Sequence, residues 1–204
     1  MTAPLLPEQQ RALDYARRRG TDAALAGIRA RLAATYAEIE AQVGSLPADV
    51  ALRHGAAAGW CVQEVVDHLV QSDAPASGQL AQLLDGRDVL EAIPASLQSA
   101  VPHEQAWNAL RERFRAVHEE VLAVLAGASD DTPQTATAAV WMVVKCAQPD
   151  GTVQPVSWLN RLDWKAYAIL LHAHNREHMA QIERILRSLE GGSYRGTTRG
   201  FRMH

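Results

Sequence analysis

Four stretches of this chain carry apolar residues at steps of three and four, each for roughly 20 residues or more, and little but a helical bundle satisfies that pattern. A period of about 3.6 residues gathers such positions on one helix face, which must be buried against a partner. The first stretch, near 22–43, carries Leu25, Ile28, Leu32, Tyr36, Ile39 and Val43, and Gly44 and Pro47 end it. The second begins after Trp60 with Val62, Val65 and Leu69 and continues to Leu80 and Leu83. Pro75 inside it predicts a kink or a break. The third, near 103–126, has Trp107, Leu110, Phe114, Val117, Val121 and Leu125 before Gly127. The fourth, near 161–189, has Trp164, Tyr167, Leu171, Ile182, Ile185 and Leu189 and stops at Gly191-Gly192. A short helix within 8–19 precedes them.

Between the third and fourth stretches, Ala139-Val140-Trp141-Met142-Val143-Val144-Lys145 is β-prone, and Pro149-Asp150-Gly151 signals a turn. The expectation is an all-α fold, a four-helix bundle with one long connection that holds a short hairpin or an ordered loop. The 204 residues suit one domain with a sizeable core, taken as 1–192, followed by a flexible or surface-draped tail over 193–204. The tail residues Tyr194, Arg195, Arg199, Phe201 and Arg202 are of a type that can touch nucleic acid, but a net charge of -3 carries no such signature, and a solvated tail is preferred. No apolar run approaches the roughly 18 residues that span a bilayer. The N-terminus lacks a basic segment followed by an apolar core, so it does not read as a secretory signal. Two cysteines, Cys61 and Cys146, make no disulfide framework. A cytoplasmic location is expected, with no nucleic-acid or membrane partner.

The chemistry concentrates in the fourth stretch, at His174-Asn175-Arg176-Glu177-His178. At about 100° per residue, with His178 at zero, His174 falls near about -40°, Leu171 near about 20°, Ile182 near about 40° and Ile185 near about -20°. Both histidines therefore share the core-facing stripe, whereas His172, near about 120°, leaves it. On the second stretch His68 follows Val65 by three residues and Val62 by six, again on an inward face. Three imidazoles from two helices can converge on one ion. Three protein ligands plus an open position is the pattern of catalytic zinc. Neutral ligands leave the ion's charge uncompensated, which favours anionic partners such as thiolates. Gln181, Glu64 and Asp73 are candidates for orienting the rings. Cys61 lies about 10 Å along the helix axis from His68 and is read as a small buried residue beside Trp60, not as a ligand of the same ion.

Two segments resemble the DinB/YfiT-like bundle proteins. One runs from Trp60-Cys61 through Glu64 to His68-Leu69; the other runs from Asp163-Trp164 to His174, His178 and Gln181, in an HxxxHxxQ pattern. Where the family often has Ser or Thr after the tryptophan, this chain has Cys61. The resemblance implies a four-helix bundle with a divalent ion, zinc or nickel, on His68, His174 and His178. It also implies homodimers, a small-molecule substrate, and transfer or isomerisation chemistry with a low-molecular-weight thiol such as mycothiol or bacillithiol; a hydrolase is the related possibility. Two other readings stay open. The segment also matches the inverted zinc-protease pattern HxxEH with Glu177 as base. A non-catalytic metal-binding or structural bundle of stress response is the alternative from a different class.

Overall fold

In a computed structural model of the chain, which describes residues 5–55, 59–94, 97–147 and 150–190, the apolar stripes form six helices and one hairpin. The helices are α1 (Pro7–Asp22), α2 (Leu25–Gly44), α3 (Ala48–Ala51), α4 (Val62–Leu84), α5 (Trp107–Ala126) and α6 (Trp164–Glu190). The strands β1 (Ala138–Ala147) and β2 (Val153–Leu162) lie between α5 and α6, and a 3-10 turn spans Pro102–Glu104. Helix α4 packs on α5 and α6, and α2 packs on the same two, so the four long helices alternate around one bundle. Helix α1 lies along α6 and β1. The expected tail, 193–204, falls outside the described residues.

A strictly all-α fold is corrected by the hairpin. Its strands pair antiparallel from Ala138↔Leu162 to Ala147↔Val153. Along β1 the even positions turn inward, burying Ala138, Met142 and Cys146, while Trp141, Val143 and Lys145 face out. That period of two is the strand signature. Asp150 closes the turn by accepting the Thr152 N–H at 2.9 Å, and Gly151 adopts φ 82°, where a side chain would be strained. The hairpin displaces the start of the fourth long helix from 161 to Trp164. Arg161 and Leu162 belong to β2, and Asp163 caps α6 by accepting the Ala166 N–H at 2.9 Å. The third long helix likewise starts at Trp107, because Pro102–Glu104 forms the separate 3-10 turn.

Pro75 does not break α4, which is helical from Val62 to Leu84. Ala76, Ser77, Leu80 and Leu83 are all buried beyond it, so packing of the C-terminal half holds the helix on course. The core forms two groups. One, around Leu32, Leu80, Leu125, Leu162 and Trp164, sits toward the hairpin. The other, around Ile39, Leu69, Leu110, Phe114 and Ile182, fills the opposite end. On α4 the first group begins at Ala76 and the second ends at Val70; on α6 the groups meet between Leu171 and Met179. His174 and His178 therefore lie where the two apolar groups adjoin on α6, and His68 faces them from within the second group's stretch of α4, two residues before its end at Val70. No helix of the described residues is long and apolar enough to cross a membrane.

Phe114 is 1% exposed in the second group. Phe114→Ala should lower the free energy of unfolding by about 3–5 kcal/mol in urea denaturation, the cost of an unfilled core site. A loss below about 1 kcal/mol would contradict the packing described.

Candidate functional site

One face of α4 and one face of α6 bring the three histidines together. One nitrogen of each of His68, His174 and His178 lies within 4.8 Å of the other two. The ring centroids are separated by 5.1 Å (His68–His174), 4.7 Å (His68–His178) and 4.6 Å (His174–His178).

The hydrogen bonds select which nitrogens remain free. His68 Nδ1 is 2.7 Å from the Leu97 carbonyl, which can only accept, so Nδ1 carries the proton and Nε2 is left as the lone-pair donor. His178 Nδ1 is 2.8 Å from Gln181 Oε1, an acceptor as well, with the same consequence. His174 Nε2 is buried with no hydrogen-bond partner among the described residues. An unpartnered buried ring nitrogen is costly unless something fills its place. Burial, with the facing His178 and His68 rings adding to it, holds the His174 pKa down to about 3. Burial holds His178 down to about 4, with His68 adding to the effect. His68 is lowered by burial too, against the opposing pull of its Leu97 hydrogen bond and of Asp67. All three rings are neutral at pH 7, the state in which imidazole binds a cation.

Trp60 roofs the cluster. Its ring lies nearly parallel to His178, at 11° and 6.1 Å, and 5.1 Å from His68. A cavity of about 460 Å³ opens beside the rings. His68, His174 and His178 line it together with Asp73, Tyr167 and the β1 segment Ala139–Val143. The hairpin therefore walls the pocket through its first strand.

Of the three residues expected to orient the rings, Gln181 contacts His178. Glu64 contacts none of the three rings: Oε2 accepts the Cys61 N–H at 2.7 Å, and Oε1 lies 3.1 Å from His103 Nε2. It is occupied in capping α4. Asp73 also contacts none of the three rings. It accepts the Asn175 Nδ2–H at 2.9 Å and a Ser72 hydroxyl contact at 3.4 Å, fully buried at the cavity wall. Burial raises its carboxyl to about 7, against the lowering effect of those two hydrogen bonds. Asn175 escaped the sequence reading. The available signal was a polar residue near about 60° on the wheel, inside the stripe that carries Leu171 and Ile182. His172 stays apart, half-buried beside Arg176 and Arg31. Cys61 is fully buried and outside the histidine cluster.

No family model matches the chain, and no curated protein matches it by sequence. Solved structures do match. YfiT from Bacillus subtilis, described as a probable metal-dependent hydrolase with an unusual four-helix bundle topology, aligns over 93% of each chain at a TM-score of 0.58 and 14% identity. The mycothiol-dependent maleylpyruvate isomerase aligns over 83% of this chain and 69% of its own, with a TM-score of 0.58 and 11% identity. A mutant of that isomerase aligns over the same shares at 0.57. At these identities the likeness establishes the fold: this chain shares the four-helix-bundle architecture of these structures.

The metal-free protein has a defined pH response. His174, His178 and His118 have folded-state pKa values below the ordinary 6.5, at about 3, 4 and 3, so each stabilises the fold above pH 6.5 and loses that contribution as the pH falls through the folded value. Asp73 opposes them: its raised pKa stabilises the fold below pH 3.8, and the contribution is lost as the pH rises through about 7. Three rings outweigh one carboxyl between pH 6.5 and 4, so the free energy of unfolding should fall on acidification by up to about 1.4 kcal/mol per pH unit for each net proton, and Tm should fall with it. Thermal melts at stepped pH check this. His174→Ala should flatten the slope and Asp73→Asn should steepen it; a Tm that rises on acidification would contradict the assignment.

Proposed function

We propose that the chain is a metal-dependent enzyme of the DinB type, holding a divalent zinc or nickel ion on His68, His174 and His178. The observation that carries this is the unpartnered Nε2 of His174 beside two rings whose Nδ1 protons are already committed. Three neutral nitrogen donors at the wall of a cavity suit a borderline ion with open positions. When bound, such an ion lowers the pKa of a thiol or a water molecule that it takes as a further ligand.

The chain's own residues supply the rest. Leu97 and Gln181 fix the tautomers and the ring planes of His68 and His178. Trp60 keeps bulk water off one side of the cluster. Asp73, with a carboxyl that titrates near 7, can take or return a proton at its Oδ atoms while Asn175 holds it in place. The apolar wall from β1 leaves room for a small organic electrophile.

We assign the reaction as transfer or isomerisation with a low-molecular-weight thiol, mycothiol or bacillithiol, in keeping with the name of the isomerase that shares the fold. The same centre acting on water would be a hydrolase, as YfiT is described. The reading includes a homodimer in the cytoplasm, to be checked by light scattering and fractionation. Metal-loaded protein incubated with mycothiol, bacillithiol or glutathione and a panel of electrophiles should give thiol adducts or isomerised products by mass spectrometry. Hydrolysed products without thiol dependence would move the assignment to a hydrolase. No turnover of either kind would leave the non-catalytic metal-binding bundle.

Two variants sharpen the reading. His174→Ala should lose the ion bound by the cluster while keeping its far-ultraviolet circular dichroism; full occupancy, by elemental analysis of protein made without a histidine tag, would overturn the ligand assignment. Asp73→Asn should lower kcat by about 10²–10⁴-fold and remove an inflection near pH 7 from the rate profile. An unchanged profile would remove Asp73 from proton transfer.

A further inference from the structure

A second cluster of donors stands at the other end of the Trp60 segment. His54 follows α3, Cys61 caps α4, Glu64 is in the first turn of α4, and His103 is in the 3-10 turn. One donor atom from each lies within 4.8 Å of all the others. The spacing of three between Cys61 and Glu64 puts both on one side of the first helical turn.

The local bonds hold these groups face to face. Glu64 Oε2 is tied to the Cys61 N–H at 2.7 Å and lies 3.9 Å from His54 Nδ1. Glu64 Oε1 lies 3.1 Å from His103 Nε2. His54 Nδ1 is also 2.7 Å from the Gly59 carbonyl, and the two histidine rings stand edge to face with centroids 6.0 Å apart. Cys61 is a free, fully buried thiol, whereas His54 and His103 are about half exposed. The cluster therefore has a buried sulfur and two imidazoles that reach solvent.

We propose that His54, Cys61, Glu64 and His103 form a second divalent-cation site, of the closed zinc type, separate from the three-histidine cluster. The donor chemistry distinguishes the two. A thiolate, a carboxylate and two neutral imidazoles balance a doubly charged ion, whereas three imidazoles leave it uncompensated. Four protein donors including a thiolate characterise structural zinc, and sulfur disfavours magnesium and calcium. Binding releases the Cys61 proton to solvent, since a coordinating thiol is deprotonated. The ion would tie together the chain after α3, the N-terminus of α4 and the 3-10 turn before α5. Trp60 lies inside that tie, so the second ion holds in place the ring that roofs His68 and His178.

Cobalt(II) reads the site directly, because only a sulfur ligand gives thiolate-to-cobalt charge transfer in the near ultraviolet. Titration of the reduced, metal-free, full-length protein should show that band. Cys61→Ser should lose it while keeping the helical circular dichroism, since serine is a good N-cap. His103→Ala, a change at a half-exposed side chain, should weaken cobalt binding read by the same band. His174→Ala should keep the band, which separates this site from the ion of the proposed enzyme. No band in the unsubstituted protein, a band that survives in Cys61→Ser, or its loss in His174→Ala would each overturn the proposal.

Discussion

Three imidazole rings in the interior of a helical bundle present a problem of hydrogen bonding before they present a chemistry. A buried polar atom without a partner costs about 1–3 kcal/mol, and three rings bring six nitrogens. His68 and His178 each commit one nitrogen, to the Leu97 carbonyl and to Gln181. His174 Nε2 has no partner among the described residues. The bundle tolerates this where its two apolar groups adjoin, so the side chains of neither group must close over the rings. The cavity opens beside the rings, Trp60 covers His68 and His178, and burial of the rings depresses their pKa values.

The hydrogen bonds determine the chemistry the rings can do. A ring whose Nδ1 proton is spoken for keeps a lone pair on Nε2, and one that is neutral at pH 7 does not repel a cation. Burial works in the same direction on the rings and in the opposite direction on Asp73, whose carboxyl rises to about 7 at the wall of the same cavity. One apolar environment thus yields cation donors and a titrating acid side by side, the kind of divergence that marks a site built for proton movement.

Much of this could be read in the chain. Leu25 to Val43, Trp107 to Leu125 and Leu171 to Ile185 carry their helical period in residues that are then found buried, because amphipathic packing is local in sequence. The shared stripe of His174 and His178 was visible for the same reason. Their meeting with His68 was not, since no spacing states that α4 and α6 are neighbours; the resemblance of the two segments to one family supplied it. Three features stayed hidden. The full extent of the hairpin depends on ten cross-strand pairs between residues up to 24 apart. Leu97 orients His68 from a connecting segment that has no periodicity. Glu64 and Asp73 carry side chains that fit either role, and only the cap of α4 and the partner Asn175 decide between them.

The central claim is that His68, His174 and His178 offer their Nε2 atoms to one ion. Proton–nitrogen correlation spectra of the ¹⁵N-labelled histidine rings, recorded with the metal-free protein and after zinc addition, test it most directly. The account predicts His68 and His178 as Nδ1-protonated tautomers in the metal-free state. It further predicts that zinc shifts the Nε2 resonances of all three rings together. Nε2-protonated rings at His68 and His178, or a zinc response that leaves any one of the three Nε2 signals unchanged, would contradict it.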